Sequence, residues 1–233
     1  MKECANALIE YFKDELPKLQ ETYQWKIPNI EGFHMCGEKG YAPNVELKKY
    51  FNKQWLKATA DERYELSKTV VADWGGVRNN HSETLKSYVV ELDKKRPATP
   101  LKGVASYSKI YSISDIDKYA IYDARVAACL NAVQWNYNAK EGVAFNYISG
   151  RNKITGYGTK KIGFVHQEPF IVKNLVANGW TRVKRDLTYQ VYLDLLQNCL
   201  KSLPRYSLYD LEMVLFANAE KECSKAMASQ LNA

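Results

Sequence analysis

The sequence predicts a mainly α-helical protein, and three observations carry that prediction. Apolar residues recur at helical spacing through most of the chain, beginning with the segment ANALIEYFKDEL near its start. Helix-starting pairs, such as Thr59 with Glu62, precede segments of this kind. Residues 139–165 are the least helical region, because they are rich in glycine, aromatic and β-branched residues. A small irregular or β insertion is therefore expected near 139–165.

The expected helices are separated by short polar turns. Thr59 and Glu62 match the capping-box pattern, and Asn80 with Glu83 could cap the next helix in the same way. The turn-rich stretch DWGGVRNN separates those two helices, and the loop RPATPLKG precedes the one after them. Helices are expected over residues 3–16, 45–57, 60–72, 82–92, 104–112, 124–135, 168–177, 188–200 and 207–226.

The composition is that of an ordinary globular protein, with 46% hydrophobic and 25% charged residues. No stretch approaches the roughly eighteen apolar residues of a membrane span. Glu10, Lys13 and Asp14 interrupt the apolar residues near the N-terminus, which argues against a secretory signal. We therefore expect an intracellular, cytoplasmic protein without a membrane partner.

Cysteine and histidine do not form a recognisable metal-binding or disulfide pattern. The five cysteines include no CxxC pair, and their odd number argues against a disulfide framework. His34 and Cys36 are close in sequence, but two ligands do not make a metal site. No metal and no other cofactor is expected.

The chain is basic, with a formal net charge of +7. Such a charge suits a protein that binds a polyanion, and 17 tyrosines and five tryptophans offer flat side chains on which bases can stack. Mild basicity without a specific partner, and aromatic residues packed in a core, explain the same numbers equally well.

The segment AIYDARVAACLN, residues 120–131, places Asp123 at the start of a predicted helix. Aspartate is among the favoured N-cap residues, so capping alone explains its presence. A carboxylate fixed at a helix start can also stabilise a sugar cation, and cleavage of an N-glycosidic bond passes through such a state. The residues by themselves favour the cap and leave the catalytic alternative open.

Residues 102–131 resemble the core of the helix-hairpin-helix DNA glycosylase superfamily, which includes oxoguanine and adenine-mismatch glycosylases. Lys102–Val104 stand in the hairpin region, Ile121–Asp123 match the step of two apolar residues and an aspartate, and Val126–Leu130 match the apolar helix behind it. The resemblance implies the family's helical fold, as one domain or as two lobes with a cleft near 74–80 and 102–125.

Departures from the family pattern narrow the reaction that the resemblance implies. Ala105 replaces the second hairpin glycine, and the four-cysteine iron–sulfur motif of some members is absent. Bifunctional members place a lysine at the end of the hairpin, where this chain has Val104; Lys102 and Lys109 are the nearest lysines. The resemblance therefore implies a monofunctional enzyme in which Asp123 acts with water, and leaves Lys102 and Lys109 as candidates for a Schiff-base amine.

A glycosylase flips its target base out of the duplex into a pocket with aromatic faces and polar groups. On this reading, some residues near the cleft are candidates for base binding, and others for contact with the DNA backbone. Structural explanations compete with each of these roles: packing is favoured for Trp74 and an ion pair for Arg125, whereas exposure to solvent explains Arg151 and Lys153 equally well. The candidates for base binding are Trp74, Arg78, Asn79, Tyr107, Ser108, Tyr122 and Arg125; those for the backbone are Gly103, Val104, Arg151 and Lys153.

Glu212, in the apolar run YDLEMVLF, is a further candidate, because a buried glutamate requires a partner. Two roles for Glu212 remain open: one half of a structural ion pair, or a second carboxylate in the pocket.

The resemblance thus implies a DNA N-glycosylase that acts as a monomer on double-stranded DNA, in repair or in defence against modified viral DNA, and the basic charge and helical pattern are compatible with it. Two alternatives remain: a non-catalytic nucleic-acid-binding protein of the helix-hairpin-helix type, and an N-glycosidase that acts on a modified nucleoside or nucleotide.

Overall fold

The structure, a computed structural model, describes residues 2–231 and is mainly helical, as the sequence predicts. A π-helical turn, Thr69–Trp74, continues α4, and short 3-10 turns lie at several helix ends. The helices are α1 (Lys2–Glu15), α2 (Leu19–Thr22), α3 (Tyr41–Lys57), α4 (Ala60–Lys68), α5 (Ser82–Leu92), α6 (Val104–Ser114), α7 (Ala124–Asn136), α8 (Val172–Ala177), α9 (Thr188–Leu200) and α10 (Leu208–Leu231).

Four two-residue strands lie in and just after the segment expected to be irregular. They are β1 (Val143–Ala144), β2 (Arg151–Asn152), β3 (Gly156–Tyr157) and β4 (Thr181–Arg182). β2 and β3 form an antiparallel hairpin, whereas β1 pairs in parallel with β4. The insertion near 139–165 therefore has short β pairing but no extended sheet.

Helix α7 holds β1 in place through two buried amide side chains. Asn131 donates to the carbonyl of Phe145 and accepts from its N–H, both at 3.0 Å. Gln134 makes the same two bonds with Val143, at 3.0 and 2.7 Å. These side chains satisfy backbone groups that have no strand neighbour on that side, and so allow an irregular segment to be buried.

Helices α7 and α10 form the most extensive helix contact of the fold. Most of α7 is buried, and its small residues Ala128 and Ala132 share an apolar cluster with Cys223 and Ala226 of α10. Packing against a fully enclosed helix fixes both the start of α7, where Asp123 stands, and the first half of α10, where Glu212 stands.

Two predicted caps have different outcomes. The capping box at α4 is confirmed, because Thr59 N–H donates to Glu62 at 2.7 Å and Glu62 N–H donates to the Thr59 hydroxyl at 3.4 Å. The cap by Asn80 is wrong: α5 follows His81, which makes no side-chain cap bond. Asn80 instead donates to the carbonyl of Val77 and accepts from the hydroxyl of Ser106, each at 3.1 Å.

Over residues 2–231, no helix combines the length and the apolar character needed to cross a membrane.

Candidate functional site

A pocket of about 360 Å³ lies beside the N-terminus of α7, within the usual size range of small-ligand pockets. Its walls come from the start of α7, from α6 and α10, from the turn after the π-helical segment, and from the β2–β3 hairpin. The residues that line it are Tyr23, Trp25, Trp74, Gly75, Gly76, Val77, Ala105, Lys109, Ile121, Asp123, Ala124, Arg125, Ser149, Gly150, Arg151, Asn152, Thr155, Glu212 and Phe216.

Asp123 is both a helix cap and a wall of this pocket. Its Oδ1 accepts from the N–H groups of Arg125 and Val126, at 2.9 and 3.0 Å. Both cap bonds end on Oδ1, so the cap leaves Oδ2 available to a ligand. The N-terminus of α7 favours negative charge at this position. Asp123 can therefore stabilise the helix and contact a ligand at the same time.

Lys109 reaches the same pocket from α6 with only 5% of its surface exposed. Its Nζ donates to the carbonyl of Ala105 at 2.6 Å. Burial lowers the pKa of Lys109, repulsion from Lys48 acts in the same direction, and attraction to Asp123 and Glu212 opposes both. A buried amine with a lowered pKa is chemically suited to nucleophilic or acid–base work.

Gly75 makes room for the Lys109 side chain. A Cβ built on Gly75 would lie 2.6 Å from Cε of Lys109 and 2.9 Å from the carbonyl oxygen of Val70. Gly75 caps the π-helical turn, a local geometry that often occurs at functional sites. The backbone φ of −82° at Gly75 suits any residue, so the conformation does not require glycine. The close approach of Lys109 and Val70 does, because it leaves no room for a Cβ.

Glu212 is a second carboxylate in the pocket wall, and it is paired with Lys48. Both side chains are almost fully buried, and Lys48 Nζ donates to Oε2 of Glu212. Burial raises the pKa of Glu212, while attraction to Lys48 and the N–H of Ile121 opposes that rise. The Lys48 ammonium also lies 5.7 Å from the ring centre of Trp74, which is within cation–π range.

The aromatic wall consists of Tyr23, Trp25, Trp74 and Phe216, all of which line the pocket. Trp25 Nε1 donates to the carbonyl of Trp74 at 3.3 Å, and Trp74 Nε1 donates to the side chain of Asn44 at 3.1 Å. Trp25 meets Phe216 edge to face, with ring centres 5.4 Å apart. The Arg125 guanidinium lies 5.2 Å from the ring centre of Phe216, and Tyr23 and Trp74 are each only 4% exposed. Trp25, at 36% exposed, is therefore the member of the wall most open to a ligand.

The β2–β3 hairpin completes the pocket on its open side. Arg151 Nη2 donates to the carbonyl of Gly76 at 3.1 Å, which joins the hairpin to the glycine turn. Asn152 donates to Glu220 at 2.8 Å, and Glu220 also pairs with Arg125 at 2.9 Å. These bonds bring Arg125 and Arg151, which we call the arginine rim, to the mouth of the pocket.

Thr155 contributes a polar group without an internal partner. It lines the pocket, and its hydroxyl is buried and makes no hydrogen bond to any residue in the described range 2–231. An unpaired buried hydroxyl costs free energy unless a ligand or a water molecule satisfies it.

Five residues singled out from the sequence meet in this pocket. Asp123, Lys109, Trp74, Arg125 and Arg151 all line it, although they come from four separate segments of the chain, and Glu212, the further candidate, joins them from a fifth. The pocket also includes parts of both segments, 74–80 and 102–125, near which a cleft was expected if the fold has two lobes.

Three other candidates for base binding lie in the core and do not line the pocket. Tyr107 is 1% exposed and donates to the carbonyl of Pro100, and Tyr122 is fully buried and donates to the carbonyl of Asn146. The hydroxyl of Ser108 accepts from the N–H of Tyr122 at 3.1 Å. Their side chains hold α6 and the start of α7 in position.

The remaining candidates also lie outside the pocket lining. Arg78, Asn79, Lys102 and Lys153 are exposed, and Val104 is fully buried at the start of α6.

Gly103 precedes α6 with a left-handed φ of 82°, and any Cβ there would collide with the hydroxyl of Tyr88. The turn into α6 therefore requires glycine, as in the hairpin that residues 102–104 resemble.

Sequence reasoning did not place Tyr23, Trp25, Thr155 and Phe216 in the site. They reach it from distant parts of the chain, and nothing in their local sequence distinguishes them from core residues. Glu212 did carry a signal, because a charged residue stands in an apolar run. The structure gives it both of the roles considered, a buried ion pair and a place in the pocket wall.

Among residues 2–231, no group of three or more His, Cys, Asp and Glu side chains is placed to hold a metal ion. Comparisons with protein-family models, with curated proteins and with solved structures find no match for this chain. The likeness to DNA glycosylases therefore rests on residues 102–131.

Proposed function

We propose that this chain is a DNA N-glycosylase that flips one base out of the duplex and cleaves the bond between that base and its deoxyribose. The meeting of Asp123 and Lys109 in one aromatic-walled pocket is the observation that supports this best. A flat base can stack on the aromatic wall, and the arginine rim carries the charge that attracts DNA phosphates.

The chemistry requires a negative group close to the sugar. Positive charge develops on the sugar ring as the base departs, and Oδ2 of Asp123 would stabilise that charge. Water then adds to C1′ of the deoxyribose, so that the abasic sugar carries a hydroxyl group at C1′. The proton that this water loses is taken up by the departing base. The reaction consumes one water molecule and needs no cofactor.

Replacing Asp123 with asparagine tests this function. Asparagine caps helices about as well as aspartate, so we expect the fold and duplex affinity to persist while base release falls about 100-fold or more. Released bases should be measured by mass spectrometry from a panel of damaged and modified duplexes, including viral genomic DNA.

Asp115→Asn is the matched control, because Asp115 accepts backbone N–H bonds from Asp117 and Lys118 but does not line the pocket. Equal base release by the wild type and Asp123→Asn would contradict the proposal. Duplex binding without any base release would favour the non-catalytic alternative, whereas release from nucleosides alone would favour the nucleoside N-glycosidase.

The position of Lys109 favours a second activity, cleavage of the DNA strand after base loss. After base loss, its amine could attack C1′ of the opened abasic sugar and form an imine as the C1′ oxygen leaves as water, since burial lowers the pKa of Lys109. Loss of a C2′ proton from the imine would then expel the 3′ phosphate and break the strand. Borohydride should then trap a covalent protein–DNA complex with the wild type and with Lys102→Gln, but not with Lys109→Gln. Absence of a trapped complex from the wild type would leave hydrolysis by water as the reaction.

A further inference from the structure

We propose that Glu212 selects the base: its carboxylate accepts hydrogen bonds from N–H groups on the edge of the flipped base, so the pocket takes a base that presents such donors. The inference rests on the proposed function, because it names the ligand edge that the same pocket recognises.

The first support is the cost of placing this carboxylate where it is. Glu212 is 3% exposed and Lys48 is 2% exposed, and a buried ion pair of this kind is often no more stable than apolar residues of the same size. Lys48 does not line the pocket, whereas Glu212 does. The cation therefore stands behind the carboxylate, and a ligand meets only the acceptor.

The second support is the division of polar groups around the pocket. Lys109 already donates to the carbonyl of Ala105, and Asp123 stands at the helix start where the sugar is expected. Among the pocket carboxylates, this leaves Glu212 to contact the base. An ionised carboxylate only accepts hydrogen bonds, so it complements N–H donors and opposes ring nitrogens with lone pairs.

The third support is that the aromatic wall and Glu212 line the same pocket. Trp74 has the Lys48 ammonium 5.7 Å from its ring centre, and a base stacked against the more exposed Trp25 would share the pocket with the carboxylate. A base that placed an acceptor there would set its lone pair against the carboxylate, and a site built to hydrogen-bond a donor rejects such analogues strongly. Two adjacent N–H donors, as on the Watson–Crick edge of guanine, fit a carboxylate; the donor and acceptor of adenine do not.

The test is the binding of guanosine and adenosine, measured by quenching of tryptophan fluorescence, because Trp25 and Trp74 line the pocket. We expect the wild type to bind guanosine at least tenfold more tightly. In Glu212→Gln the side chain offers one donor and one acceptor, so the preference should be lost or reversed towards adenosine. If Glu212 had a purely structural role, its replacement would weaken the binding of both nucleosides equally and leave the ratio of their affinities unchanged.

Glu212→Gln leaves Lys48 buried without its partner, and such variants are strongly destabilised. The double variant Lys48→Met with Glu212→Gln removes both charges and carries the same test if the single variant does not fold. Glu222→Gln is the matched control, since Glu222 lies on the same helix, is equally buried and is paired with Lys221, but neither it nor its partner lines the pocket.

Three outcomes would overturn the selection by Glu212: no nucleoside binding to the wild type, no preference in the wild type, or the same preference in both Glu212 variants. Each of these outcomes is distinct from failure of the proposed function, which is tested separately by comparing base release by the wild type and by Asp123→Asn. If base release depends on Asp123 but the preference for guanosine does not depend on Glu212, the glycosylase function stands and only this inference is rejected.

Discussion

Asp123 and Gly75 show how single residues prepare the pocket. The carboxylate of Asp123 uses one oxygen for the helix and leaves the other available to a ligand. Gly75 has no side chain, and that absence allows Lys109 to lie against the backbone. Capping and catalysis are therefore not competing explanations of Asp123, since the two oxygens can serve different partners.

Replacing Gly75 with alanine should displace Lys109 from its present position. The added Cβ would lie well inside contact distance of Lys109 and Val70, and we expect a loss of about 1–3 kcal/mol in the free energy of unfolding. Urea denaturation measures that loss. Base release should fall as well if Lys109 contributes to it.

The double variant Gly75→Ala with Lys109→Ala provides the control for this steric argument. Removal of the lysine side chain relieves part of the clash, so the double variant should be more stable than the sum of the two single changes predicts. Strict additivity would show that Gly75 and Lys109 are not in conflict.

At the scale of elements, α7 organises the site in two ways. Its start carries Asp123, and its buried amides Asn131 and Gln134 hold the irregular chain before the β2–β3 hairpin. The hairpin then brings Arg151 and Thr155 to the pocket. A helix that is buried on all sides provides a rigid support for a segment with very little regular structure of its own.

Replacing Asn131 with alanine should therefore loosen the insertion. The change leaves the N–H and carbonyl of Phe145 buried without partners, and each unsatisfied group costs about 1–3 kcal/mol. Chemical denaturation should detect the loss. Gln190→Ala, which removes an exposed bond to Asp194, should change stability by less than about 0.5 kcal/mol.

On the scale of the whole molecule, the pocket combines opposite charges at two depths. The charges in and behind its wall balance, with two carboxylates and two amines: Asp123, Glu212, Lys48 and Lys109. At its mouth Arg125 is paired with Glu220, so Arg151 supplies the added positive charge. The net charge of +7 provides attraction at longer range. A neutral base deep in the pocket and a phosphate near its mouth would match this distribution.

The sequence by itself determined the longer helices, the capping box at Thr59, the site of the insertion, and the place of Asp123 at the start of α7; it missed the short α2 and placed the start of α8 at 168 instead of Val172. These features depend on neighbours within a few residues, where spacing and capping are decisive. Tertiary structure alone decided that Lys109 and not Lys102 enters the pocket, that Tyr107 and Tyr122 serve the core, and that Lys48 stands behind Glu212. Those outcomes depend on which faces of distant helices meet, and packing sets that choice through contacts far apart in the chain.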